Sequence, residues 1–153
     1  MSLIDNMAEN EKLLNELYDI YKKNFREHQN LWGRLAQEEQ KHAEWLYQLA
    51  KEDDKSSLIA ERRFSGKLIA EFNELIRNEI EKCIAGKVDS TIALKTALKI
   101  EETMLEKRFF CVLKSDQSKL SDTLMDLEYD TREHFEMLKK ALEEDKWSKW
   151  VSG

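Results

Sequence analysis

Glu39 and His42 are the residues in this chain whose types and spacing point most directly to chemistry. They lie in the stretch 31–46, LWGRLAQEEQKHAEWL. A helix turns by about 100° per residue, so residues three apart share a face, and this face is otherwise apolar. A carboxylate and an imidazole buried together must be paired, hydrogen-bonded or bound to a metal. The Glu-x-x-His spacing is also how four-helix bundles build dinuclear metal sites. Glu38 lies roughly 80° off this stripe and is expected to reach water.

The second half of the chain carries a similar set of inward polar residues. Glu101 falls within roughly 25° of the centre of an apolar stripe by the same helical count. Thr131 lies at the centre of the next stripe, and His134 is one turn further along. Asp130 and Glu128 flank that stripe at its edge. The two halves are therefore expected to place two sets of ligands facing each other.

The first helix offers two candidate polar residues, Asn10 and Glu11. Asn10 lies near the centre of its apolar stripe, whereas Glu11 lies near the edge. Tyr18 and Tyr21 on the same stripe are interpreted as packing residues. If a metal is bound, carboxylate and imidazole together suit iron or manganese, and zinc less exclusively. In the other interpretation, each inward histidine or glutamate is a core residue held by hydrogen bonds or an ion pair.

An all-α bundle is the architecture that would position these side chains. The chain has no proline, only four glycines and 37% charged residues, which favours long helices. The apolar periodicity predicts two antiparallel helical hairpins joined by a long helical crossover. Gly86 is the expected C-cap of the crossover helix, and Asp89 or Ser90 the cap of the next helix. The helices are predicted at 6–26, 30–51, 57–85, 90–113 and 119–144, with the tail extending the last one.

Composition excludes several classes of function. The length of 153 residues predicts one domain, 1–153. The net charge is −6 and basic residues form no stripe, so nucleic acid is not expected to be a partner. No apolar run reaches the roughly 20 residues of a membrane span, and no signal peptide is visible. Cys83 and Cys111 are interpreted as reduced thiols, so a cytoplasmic protein is expected.

Taken together, these segments resemble the ferritin-like superfamily and, within it, the rubrerythrin-like proteins. The resemblance rests on the hairpin with Tyr18, on LAQEEQKHAEWL, ALKIEE and AGKVDSTIAL, and on the late TREH. It covers almost the whole chain. It implies a four-helix bundle with a non-haem di-iron centre and an oxidoreductase of the peroxidase or ferroxidase type. The ligands that it implies are Glu11, Glu39, His42, Glu101 and His134.

The chain departs from the family pattern in two ways. Thr131 stands where the family has a glutamate, so the site could hold two metals, one or none. The rubredoxin module with its paired Cys-x-x-Cys is absent, which implies a separate electron-donor protein. Two alternatives stay open: a metal-free bundle acting as a structural or partner-binding module, and iron storage or transfer without turnover. Trp147 and Trp150 share a helical face and are expected to pack on the bundle or across a homodimer contact.

Overall fold

The structure, a computed structural model, describes residues 3–52, 66–106 and 118–152, and every element in these ranges is helical. The predicted all-α class is therefore confirmed for the described residues. The predicted helix segments 57–65 and 107–113, like Cys111, lie outside them. None of the described helices combines the length and hydrophobicity needed to cross a membrane. The elements are α1 Leu3–Asn24, a 3-10 turn Arg26–His28, α2 Gln29–Glu52, α3 Gly66–Ile84, α4 Ser90–Glu106 and α5 Ser118–Ser152.

Helices α1 and α2 form a hairpin around an aromatic cluster. The chain leaves α1 through Phe25, whose backbone is extended, and re-enters helical structure through the 3-10 turn. Because this connection is short and the two helices pack closely, they run antiparallel. Tyr18, Tyr21 and Trp32 are fully buried between them. The ring centroids of Tyr21 and Trp32 lie 4.8 Å apart in an edge-on arrangement.

Helix α3 packs against α1 and ends in a well-defined cap. Gly86 has a φ of 73°, the left-handed conformation that glycine adopts without steric cost. Its N–H donates to Cys83 O, and the next N–H, of Lys87, donates to Lys82 O. This pair of bonds is a Schellman motif, so the predicted C-cap is confirmed. Of the two candidate caps for α4, Asp89 is the one used, because its Oδ1 accepts the Ile92 N–H at 2.8 Å.

Helices α4 and α5 pack together, and α5 also packs against α2. The buried Asp145 of α5 helps to fix this arrangement. Its Oδ2 accepts a hydrogen bond from Thr91 Oγ1 at 2.7 Å, at the start of α4. Its Oδ1 lies 3.7 Å from His28 Nε2, in the 3-10 turn. One carboxylate thus links three elements. The α2–α5 contact brings residues 38–42 of α2 and residues 130–134 of α5 together.

The tail extends α5 as a helix to Ser152, as predicted. Trp147 and Trp150 have ring centroids 5.2 Å apart, but their side chains are 64% and 74% exposed. The prediction that they pack on the bundle is therefore wrong: α5 continues past Asp145, and the indoles meet each other instead of the core. Packing across a homodimer contact stays a prediction.

Candidate metal centre

The five predicted ligands lie together in the interior of the bundle. Each is at most 1% exposed. Among the described residues, two groups of side chains could each hold a metal ion, because their ligand atoms lie within 4.8 Å of one another. Glu39 belongs to both groups, so the two sets of ligands face each other as the sequence predicts. The groups are Glu11, Glu39 and His42, and Glu39, Glu101 and His134.

Glu39 directs one oxygen toward each group. Its Oε2 lies 3.5 Å from His42 Nδ1, and its Oε1 lies 2.8 Å from His134 Nδ1. Glu11 Oε2 lies 3.6 Å from His42 Nδ1, and Glu101 Oε1 lies 3.6 Å from His134 Nδ1. The two imidazole rings are near-parallel, with centroids 5.9 Å apart. This is the arrangement of a carboxylate that can bridge two cations, each with its own histidine and terminal glutamate.

The atoms that face one another in this site have no hydrogen-bond partner among the described residues. They are Glu11 Oε2, Glu39 Oε2, Glu101 Oε2 and the Nδ1 atoms of both histidines. Even the 2.8 Å approach of His134 Nδ1 to Glu39 lacks hydrogen-bond alignment. Buried polar atoms are normally hydrogen-bonded, so a cluster of unpaired ones needs an explanation. Unpaired oxygen and nitrogen atoms that converge fit a divalent transition-metal ion.

The outer nitrogens of the histidines make crossed hydrogen bonds between α2 and α5. His42 Nε2, on α2, lies 2.8 Å from Asp130 Oδ2, on α5. His134 Nε2, on α5, lies 3.3 Å from Glu38 Oε2, on α2. When each Nε2–H donates to its carboxylate, the neutral ring keeps its lone pair on Nδ1, facing inward. The two carboxylates therefore orient both rings so that their Nδ1 atoms face the interior.

Glu38 is a correction to the sequence analysis. Its side chain remains 22% exposed, as expected for a residue beside the stripe, but it also contacts His134 and Arg34. Asp130, expected only at the edge, is 25% exposed and contacts His42. A sequence signal was present: an acidic residue stands four positions before each histidine. Their role depends on the α2–α5 crossing, which helical phase within one helix does not give.

Glu11 joins the other candidate ligands, as the resemblance implies. The sequence favoured Asn10 for the inward position, yet Glu11 is the residue that reaches the site and is 1% exposed. Asn10 is also buried, but its Nδ2 donates to Asn73 Oδ1 on α3 at 2.9 Å. Helix α1 packs against both α2 and α3, so it has two buried faces. The centre of its apolar stripe therefore does not identify the face that lines the site.

Tyr18 does more than pack. Its hydroxyl donates a hydrogen bond of 2.7 Å to Glu101 Oε1, while its ring lies 5.7 Å from that of Trp32. Burial, together with the nearby Glu101 and Glu39 charges, raises the pKa of Tyr18 well above its ordinary value. The hydroxyl therefore stays protonated and holds Glu101 Oε1, while Glu101 Oε2 has no hydrogen-bond partner among the described residues.

The charges of the metal-free site are redistributed by burial. Burial and the adjacent Glu39 charge raise the pKa of Glu11 and Glu101. Burial also acts to raise the pKa of Glu39, but the adjacent Glu11 carboxyl group and the two nearby histidines outweigh it and lower that pKa. Burial acts to lower the pKa of His42, but Glu11 and Glu39 outweigh it and raise the value to about 11; His134 shifts upward in the same way. A bound cation would have to displace these protons.

Thr131 occupies the position on α5 that corresponds to Glu39 on α2. It is 2% exposed, and its Oγ1 donates to Leu127 O at 2.8 Å, one turn back along the helix. The hydroxyl is thus committed to the backbone. The centre has a carboxylate between its histidines on the α2 side and none at the matching α5 position.

Comparisons with known proteins identify no relative of this chain. No protein-family model matches the sequence. Neither the curated proteins nor the solved structures yield a significant match. The functional argument therefore rests on the site itself.

Proposed function

We propose that this chain binds divalent transition-metal ions, with iron(II) the first candidate, in the centre formed by the two glutamate/histidine groups. The observation that carries the proposal is the set of converging, buried and unpaired ligand atoms, with Glu39 common to both groups. Without a cation, the core has to compensate these atoms by protonating the histidines beside the glutamates. A bound cation would pair with all of them. Manganese and zinc are the alternative ions.

We further propose that the bundle is of the ferritin-like, rubrerythrin-like kind. The support is the order of ligands along the chain, which is a glutamate on α1, Glu-x-x-His on α2, a glutamate on α4 and a histidine on α5. Iron bound in such a centre supplies one-electron redox chemistry toward oxygen or peroxide. Turnover would require a separate electron-donor protein, since the chain carries no Cys-x-x-Cys. Iron storage or transfer would use the same ligands without turnover.

The residues of this chain have separate tasks in that proposal. Glu39 would help to hold a cation in either group, whereas Glu11 and Glu101 would each contribute to one group. Asp130 and Glu38 orient the histidine rings from outside, and such outer partners commonly set ligand orientation and basicity. Burial of all five ligands to 1% exposure or less keeps bulk water from the charged atoms.

Anaerobic iron(II) titration of three proteins tests the proposal. The wild type is expected to bind iron(II) stoichiometrically. Glu39→Ala is expected to abolish that binding, because it removes an oxygen from both groups. Glu44→Ala, a change to an exposed glutamate on the same helix, is the matched control and should bind like the wild type. The proposal fails if the wild type binds no iron(II) and Glu39→Ala changes only the melting temperature.

A metal-free bundle acting as a structural or partner-binding module is the second candidate. One observation favours it: His134 Nδ1 lies 2.8 Å from Glu39 Oε1, a distance at which protonated histidine and carboxylate attract each other strongly. In that case the five residues form a buried ion-pair network. Removing one partner would strand a buried charge and cost about 3–5 kcal/mol of stability. The same titration separates the two candidates.

A further inference from the structure

The centre has fewer protein ligands on the α5 side, which supplies His134, than on the α2 side, which supplies Glu39 and His42. Each group offers three ligand atoms, one from each residue: for the first group, one atom each from Glu11, Glu39 and His42. Non-haem iron and manganese ions commonly take more ligands than this. The position that could supply another carboxylate is Thr131, and its hydroxyl bonds to Leu127 O instead.

The charges of the ligands also leave two divalent cations incompletely neutralised. Three inner carboxylates carry three negative charges against the four positive charges of two divalent cations. The ligand atoms are at most 1% exposed, so water screens this excess poorly. Asp130 and Glu38 lie on the far side of the imidazole rings and are 25% and 22% exposed. Their charges are therefore more distant and better screened.

On this basis we propose that an external anion with a carboxylate-type O–C–O group, such as formate or bicarbonate, completes the two-metal form of this centre beside Thr131. The inference rests on the proposed metal binding. A planar anion with two oxygens matches what a glutamate at position 131 would offer. It would balance the remaining positive charge of the two cations. The second cation should then bind tightly only when such an anion is present.

The test is anaerobic iron(II) titration in buffers of equal ionic strength that contain perchlorate, formate or bicarbonate. For the wild type, formate or bicarbonate should tighten the second cation at least about tenfold relative to perchlorate, which corresponds to 1.4 kcal/mol. Thr131→Glu should bind two cations in perchlorate with no anion effect. Thr131→Val, which keeps the volume and removes only the hydroxyl, should retain the wild-type anion effect.

A second measurement does not depend on a variant folding. Carbon-13 formate should show paramagnetic broadening with iron(II)-loaded wild type, and none with the metal-free protein. Equal second-cation affinity in all three buffers, or no broadening, would overturn the anion inference while metal binding stands. Absence of iron(II) binding in every buffer would overturn the proposed function as well. The two failures are therefore distinguishable.

Discussion

Residues 38–42 of α2 and residues 130–134 of α5 form two similar segments that differ in one decisive residue. In α2 the order is Glu38, Glu39 and then His42, and in α5 it is Asp130, Thr131 and then His134. Each histidine turns Nδ1 inward and Nε2 toward the outer carboxylate of the opposite segment. Only the α2 segment adds a carboxylate between the two rings.

The comparison separates what orients ligands from what binds metal. The outer carboxylates and histidines are present in both segments, so the orienting framework is symmetric. The carboxylate between the rings is present once, so the set of candidate metal ligands is asymmetric. Tyr18 adds a second asymmetry, because its hydroxyl bonds to Glu101 rather than to Glu11. The following predictions restore, weaken or probe each of these features.

Restoring the missing carboxylate should have the largest effect. Thr131→Glu is expected to raise tight iron(II) binding toward two per chain. The binding free energy of a structural zinc site with four ligands is roughly 10–16 kcal/mol. One added ligand should therefore tighten binding of the second cation by more than about 100-fold. Elemental analysis after gel filtration measures the stoichiometry. Unchanged stoichiometry in a folded Thr131→Glu protein would show that the missing ligand is not what limits the site.

Removing an orienting carboxylate should have a moderate effect. Asp130→Asn and Glu38→Gln are each expected to weaken metal binding about 10–100-fold without lowering the limiting stoichiometry. The loss should be larger for Asp130→Asn, because its bond to His42 is 2.8 Å whereas the Glu38–His134 distance is 3.3 Å. Glu133→Gln on α5 is the control. Wild-type affinity in both variants would contradict an orienting role.

The dependence on pH follows from the histidines. In the metal-free fold, the pKa of His42 is raised from 6.5 to about 11. The stabilisation by protonated His42 is therefore complete below pH 6.5 and is lost as the pH rises through about 11. Metal requires neutral Nδ1, so binding should release protons, and iron(II) affinity should fall steadily as the pH is lowered below about 11. Calorimetry in buffers of different ionisation enthalpy counts the protons; no release would contradict the assigned ligands.

Removing the Tyr18 hydroxyl should have the smallest effect. Tyr18→Phe leaves Glu101 Oε1 without its donor, at a cost of about 1–3 kcal/mol in the free energy of unfolding. Thermal denaturation of the metal-free protein measures it. Tyr129→Phe is the control, since that side chain is 64% exposed and the loss of its hydroxyl should be close to neutral. Equal stability of both variants would argue against the Tyr18–Glu101 bond.

Periodicity predicts much of this molecule, and the remainder depends on contacts between helices. The inward placement of Glu39, His42, Glu101 and His134 follows from the phase of one apolar stripe in each helix, and the structure confirms it. Glu11 could not be assigned in that way, because α1 buries two faces and its stripe is correspondingly wide. The crossed hydrogen bonds depend on the relative position of α2 and α5, which no single-helix pattern encodes.

The metal content of the wild-type protein is the most direct test of the central claim. The protein should be purified without chelator, analysed for iron, manganese and zinc, then stripped and titrated anaerobically with iron(II). We expect copurified transition metal and saturable binding of iron(II), with at least one tight cation per chain. Protein that carries no transition metal and shows no saturable iron(II) binding at stoichiometric concentrations would contradict the claim, and would leave the five buried side chains as an ion-pair network.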